Sequence, residues 1–125
     1  MKSTIEIPNA PSPVGPYSQA IKYNGLIIAS GQIAIDPKTG ILDTSSIENE
    51  TLQILNIIDA ILKAVNLKRG NILKCRIFLK DMNDFNKVNE IYGSFFNKPY
   101  PCRETIEVAR LPKDANIEIS FIAGE

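Results

Sequence analysis

Ser18-Gln19-Ala20-Ile21-Lys22-Tyr23-Asn24-Gly25-Leu26-Ile27-Ile28-Ala29-Ser30 is the stretch that decides the fold. A two-residue hairpin turn needs positive φ at both central positions, which Asn24 and Gly25 tolerate, so the stretch predicts two antiparallel strands. In the second strand Leu26, Ile27 and Ile28 are consecutive, so both of its faces are apolar. Such a strand needs cover on two sides. Asp36-Pro37-Lys38-Thr39-Gly40 then reads as a turn, with Pro fixing φ and Gly taking the left-handed position.

Downstream the hydrophobic period changes from two to between three and four. Ile47, Leu52, Ile54, Leu55, Ile58, Ile61, Leu62 and Val65 form one stripe and predict a helix over 46–65. Ser45 with Glu48 reads as its capping box, and Gly70 after Lys68 and Arg69 as the punctuation beyond its far end. Residues 74–80 alternate as a strand. Residues 84–96 fit a second helix, with Phe85, Val88, Tyr92, Phe95 and Phe96 on one side and Pro99 and Pro101 stopping it. Two more strands follow, 105–110 and 116–122, joined by Leu111-Pro112-Lys113-Asp114-Ala115. The expected order is β-β-α-β-α-β-β, an α+β fold with two helices on one face of a mixed sheet.

Two helices cover only one side of such a sheet. Ile77, Phe78 and Leu79 are also consecutive, and Ile122 faces opposite Ile117, Ile119 and Phe121. The uncovered face is therefore apolar, which predicts a symmetric homo-oligomer packed through it.

A chain of 125 residues, 44% hydrophobic and 22% charged, supports one domain spanning 1–125 and is neither disordered nor fibrous in composition. Fourteen basic and fourteen acidic side chains cancel, so no global field draws nucleic acid or anionic lipid. Histidine is absent. That removes histidine-based nucleophile systems, imidazole acid–base catalysis and His-ligated metals, while two cysteines cannot build a four-thiolate site. The first residues lack the basic and apolar runs of a secretory signal, and no segment reaches the roughly 20 apolar residues of a membrane span. A cytoplasmic location with Cys75 and Cys102 as free thiols is expected.

Chemistry must then rest on carboxylates, Arg, Lys, Tyr, hydroxyls, thiols or backbone. In Lys98-Pro99-Tyr100-Pro101-Cys102-Arg103-Glu104-Thr105 two prolines stiffen the chain before a strand, lowering the cost of fixing Arg103. A fixed guanidinium is a carboxylate anchor, although spacing alone favours a solvated arginine. Glu118 alternates with Ile117 and Ile119, which puts it on the uncovered face. If a second subunit meets that face, its carboxylate is partly desolvated and suited to proton transfer; alone it reads as an exposed strand residue. Tyr17 after Gly15-Pro16, and Ser30-Gly31-Gln32 at a strand end, place hydrogen-bonding groups beside permissive backbone, with turn punctuation as the commoner explanation. Asn89 and Tyr92 flank the apolar stripe of the second helix, where Tyr92 fits the core. Cys102 reads as a packing residue, and Lys113-Asp114 as a solvated turn.

In order and spacing these pieces resemble the RidA, or YjgF-type, family of reactive-intermediate deaminases. The matching residues are Gly15-Pro16-Tyr17-Ser18-Gln19, Ser30-Gly31-Gln32-Ile33, Asp36 to Gly40, Phe78-Leu79-Lys80-Asp81-Met82-Asn83-Asp84-Phe85, Val88-Asn89-Glu90-Ile91-Tyr92, Pro101-Cys102-Arg103 and Val108 to Lys113 with Ile117-Glu118-Ile119. The resemblance covers the whole chain. It implies a chorismate-mutase-like fold, a homotrimer with clefts between subunits, and cofactor-free hydrolysis of 2-imino acids or their enamines (2-aminoacrylate, 2-iminobutanoate) to 2-keto acids and ammonia, protecting pyridoxal-phosphate enzymes. Arg103 would bind the substrate carboxylate and Glu118 would position or activate water, while Tyr17, Ser30, Gly31, Asn89 and Thr105 would line the cleft. The chain departs from many bacterial members at Thr105, where they carry cysteine, and has Cys102 ahead of the arginine; that puts a thiol role in doubt. Some relatives were described as ribonucleases or translation inhibitors. The cancelling charge and the lack of a basic–aromatic strip argue against RNA. A non-catalytic binder of small carboxylates is the other alternative.

Overall fold

The computed structural model describes residues 1–8 and 10–125. The Asn24-Gly25 turn forms as expected, with φ of 49° and 77°, and joins β2 (Ala20–Tyr23) to β3 (Leu26–Gln32) in antiparallel register, Tyr23 opposite Leu26. A two-residue strand, β1 (Ser3–Thr4), adds to the outer edge of β2 and was not expected from the sequence. At two residues it is too short to show an alternation.

The first helix, α1, runs Ile47–Ala64. Its cap is Ser46, one residue later than expected: the Ser46 side chain accepts from the Asn49 backbone N–H at 3.0 Å, while Ser45 hydrogen-bonds Asp43. The helix ends at Val65, and the left-handed residue after it is Asn66 (φ 58°), so Gly70 is not the helix terminator. Leu52, expected on the buried stripe, is 48% exposed. It lies one residue off the line of Thr51, Ile54, Leu55, Ile58, Ile61 and Leu62, which are buried.

Strand β4 (Ile72–Leu79) leads through a short turn into α2 (Phe85–Phe95), which crosses to β5 (Cys102–Glu107), parallel to β4. β6 (Ile117–Gly124) returns between β3 and β4, antiparallel to both. The last two strands thus lie a few residues from their expected limits. The sheet order is β1-β2-β3-β6-β4-β5, with the last strand of the chain at its centre.

Both helices pack on one face. Ile27, Ala29, Cys75, Ile77, Leu79, Ile117, Ile119, Phe121 and Ala123 point into this core, against Ile54, Ile58, Ile61, Val88 and Tyr92. The other face carries Ile28 (46% exposed) and Ile106 (44%), with half-buried Phe78 and Ile122 between them. The single layer of helices is as expected, but the uncovered face is only partly apolar: Lys74 and Arg76 of β4 pair with Glu104 of β5 between its apolar patches.

Candidate active site

β3 does not run straight into its pairing with β6. Ala29 opposes Phe121 but Gln32 opposes Ile119, so Ser30 and Gly31 form a one-residue bulge. Bulges bend a strand and re-aim its groups, and they are common beside functional sites. Here the bulge brings the Gly31 backbone against the Glu118 side chain. A Cβ at Gly31 would meet Glu118 Cδ at 2.5 Å and Cγ at 2.8 Å, so only glycine permits this approach.

Glu118, Ser30, Gly31 and Tyr17 line one cavity of about 310 Å³ with Gln19, Gln32 and Lys113, walled by Val14, Ile33, Ile35 and Pro112. Burial holds the Glu118 carboxyl above the usual glutamate range. The Ser30 hydroxyl donates to the Ser18 carbonyl at 2.6 Å, which ties the bulge to the segment carrying Tyr17.

Arg103 lies elsewhere. On β5 it pairs with Cys75 of β4, a core-facing position, so its side chain runs along the helix-bearing face. Its Nη1 donates to Asn89 Oδ1 on α2 at 2.7 Å, and its guanidinium stands 4.9 Å from the Tyr92 ring centre and 5.6 Å from that of Phe85. Asn89, Tyr92, Gly93, Tyr100, Pro101 and Arg103 line a second, open cavity of about 430 Å³. Arg103 is exposed but not free, because a hydrogen bond and two aromatic faces fix its direction. Beneath it, burial pushes the Cys75 thiol up to about 11, with Tyr92 and Arg103 pulling weakly the other way. The Tyr92 hydroxyl, buried beside that thiol, is also pushed up by burial. This is an inert, neutral floor. Thr105 is two residues along the same face, its Oγ1 buried without a hydrogen-bond partner.

Of the sequence-derived site residues, one chain therefore gathers Tyr17, Ser30, Gly31 and Glu118 on the open side of the sheet. It gathers Arg103 and Asn89 at its β5 edge on the helix side, with Thr105 beside them. β4 separates the two groups. Sequence reasoning missed Tyr92 and Tyr100 as walls of the arginine cavity, Lys113 as a rim of the other, and the amide pair Gln19–Gln32. The available signal was Gln32 directly after Ser30-Gly31, a polar residue at a core-facing strand position opposite Ile119. Cys102 is exposed and Cys75 buried; both are free.

A central strand donated by the C-terminus and a two-helix layer are the marks of the chorismate-mutase-like α+β proteins, and solved relatives share them across nearly the whole chain. The chain belongs to the RidA, or YjgF-type, family: the family model described as Endoribonuclease L-PSP matches residues 7–125. A RutC family protein of Pyrococcus horikoshii is 49% identical over 123 residues, covering 98% of each chain. The 2-iminobutanoate/2-iminopropanoate deaminase of Salmonella typhimurium is 45% identical over 126 residues, again covering 98% of each. A Rid family protein from Yersinia pestis, described as of unknown function, superimposes with a TM-score of 0.97 at 48% identity over 100% of both chains. Among the described residues no helix is long and apolar enough to cross a membrane.

Proposed function

We propose that this protein hydrolyses 2-imino acids, or their enamine tautomers, to 2-keto acids and ammonia, in clefts where Arg103 of one subunit faces Glu118 of a neighbour in a homotrimer. The observation that carries this reading is the split site: a braced guanidinium and a desolvated carboxylate lie on opposite faces of one sheet. Neither half suffices alone. The 45% identity to a named imine deaminase supports the same chemistry.

The substrate carries a carboxylate beside a protonatable C=N. The Arg103 fork takes the carboxylate, its orientation set by Asn89 and Tyr92. The iminium carbon is already electrophilic, so water and orientation are what the protein must add. Ionised Glu118 accepts a proton from water as the water oxygen bonds to the imine carbon. Glu118 returns that proton to the carbinolamine nitrogen, then takes the second water proton from the carbinolamine hydroxyl as the C–N bond breaks and the C=O bond forms. Ammonia departs, and the proton left on Glu118 passes to solvent. No redox step or cofactor enters this balance.

The test generates 2-aminoacrylate in situ and follows keto-acid release with and without the purified protein. Faster release is the expected result. Unchanged release, with cleavage of a mixed RNA substrate, would establish the ribonuclease reading that the family description carries; inertness in both, with ligand-induced thermal shifts by small carboxylates, would establish a binding protein.

A further inference from the structure

Gln19 and Gln32 are polar side chains placed where the core should be apolar, 9% and 3% exposed. Gln19 Nε2 donates to Gln32 Oε1 at 2.7 Å, and Gln32 Nε2 donates to the Ser30 carbonyl at 2.8 Å. The Ser30 backbone N–H in turn donates to the Gln19 carbonyl at 2.9 Å. These bonds close a ring around the bulge, and the peptide they grip is the one that precedes Gly31. A bulge leaves ladder groups unpaired, and a buried carbonyl without a donor is costly, so the Gln32 amide supplies what β6 cannot. Making both glutamines apolar would strand the Ser30 carbonyl, so the pair supports stability and at the same time fixes the peptide ahead of Gly31.

We propose that the Gln19–Gln32 amide pair is a positioning device: it locks the Ser30–Gly31 bulge so that the Gly31 backbone seats the Glu118 carboxylate against the cavity. The chain of contact is continuous, from Gln19 to Gln32, to the Ser30 carbonyl, to Gly31, to Glu118. The inference rests on the reading of Glu118 as the group that directs water. The other titratable groups around Glu118 are Tyr17 and Lys113 on the cavity wall, while Arg76, opposite Ser120 on the same face, is engaged by Glu104 at 2.8 Å. None of them hydrogen-bonds the Glu118 carboxylate. The remaining charge is Arg103 of the neighbouring subunit in the proposed trimer, which every variant compared below retains, so what differs among them is how closely the bulge shields the carboxyl from water.

The variant is Gln32→Met, which keeps the length of the side chain and removes both amide bonds; Gln19→Leu/Gln32→Leu is the second, with the whole pair made apolar. The readout is the titration midpoint of the Glu118 carboxyl in the intact protein, followed by carbon NMR on glutamate-labelled chain and assigned by its disappearance in Glu118→Gln. The wild-type midpoint, set by burial against the pull of the neighbouring subunit's Arg103, is the reference. In either folded variant it should fall below that reference, the acid limb of the pH–rate profile should move down with it, and kcat for imine hydrolysis should drop about 10- to 100-fold, the scale set by small misplacements. An unmoved midpoint in a folded variant would overturn the proposal. Because the titration needs no substrate, it decides the positioning role even if the wild-type protein proves unable to hydrolyse imines, which would sink the deaminase reading alone.

Discussion

Arg103 owes its direction to neighbours that a lysine could not use in the same way. One guanidinium nitrogen bonds Asn89 while the planar face lies near Tyr92 and Phe85, which leaves the remaining N–H groups to present a fork. Losing a charge-assisted contact of this kind costs about 1.5–3 kcal/mol, or about 10- to 150-fold in rate. Arg103→Ala is expected to lose imine hydrolysis by at least that factor in steady-state assays, and Arg103→Lys to recover little of it. Glu118 makes a second residue-scale prediction, on stability. Burial lets its carboxyl keep a proton to higher pH in the folded chain than in the unfolded one. The folded state is thus favoured below the unfolded value, about 4.3, and loses that advantage as pH rises through the folded value. With Arg103→Ala in both proteins, so that no neighbouring guanidinium offsets the burial, Glu118→Gln, which cannot ionise, should melt at a higher temperature than its Glu118 parent at pH 8, with the gap closing by pH 3 to 4. Both residues stood out in the sequence, one by its flanking prolines and one by strand alternation, but spacing alone read each as solvated, and their proposed roles came from the family resemblance. Their placement on opposite faces was not legible, because it depends on the parallel pairing of Cys75 with Arg103 across more than twenty residues of intervening chain.

Elements were legible where a period ran long enough to read and blurred where they ended. The hairpin and both helices were visible, but the α1 cap moved to Ser46 and its terminator to Asn66, since neighbouring serines and a chain of polar residues offer equal local signals. Glu50 was invisible in a different way. It sits in the first turn of α1, where an acidic residue favours the helix dipole, and pattern reading assigns it to solvent. In the fold it is 0% exposed and joins two elements: its Oε2 accepts from the Asn116 backbone N–H and its Oε1 from Asn116 Nδ2, both at 2.8 Å. Asn116 stands at the entry to β6, so Glu50 ties the helix to the central strand. Glu50→Ala leaves two donors of half-buried Asn116 without their partner, and urea unfolding should show a loss of about 1–3 kcal/mol. Glu50→Gln should lose less, because a carboxamide still offers an acceptor to the backbone and can meet a flipped Asn116 amide.

At the scale of the whole molecule, the consecutive apolar runs foretold an uncovered sheet face, and the fold supplies one, with Ile28, Ile122 and Lys74 aligned across β3, β6 and β4. The proposed trimer packs this face and, in doing so, brings one chain's Arg103 to another's Glu118. Two outcomes follow from that geometry. Ile28→Asp places a charge in the packed face, so sedimentation at micromolar concentration should show a folded monomer that no longer hydrolyses imines. The sharper outcome comes from mixing two dead proteins. If each cleft takes its arginine from one subunit and its glutamate from the next, chains carrying Arg103→Ala and chains carrying Glu118→Gln, co-expressed in equal amounts, form some clefts with both groups intact. With random assembly around a closed cyclic ring, about one cleft in four is whole, so the mixture should recover about a quarter of wild-type activity although each parent has almost none. A site built within a single chain could never be repaired this way, since every chain in the mixture lacks one group. Recovery near a quarter therefore separates a shared cleft from a private one, and a co-expressed mixture as inactive as its parents would remove the shared cleft while leaving the fold untouched.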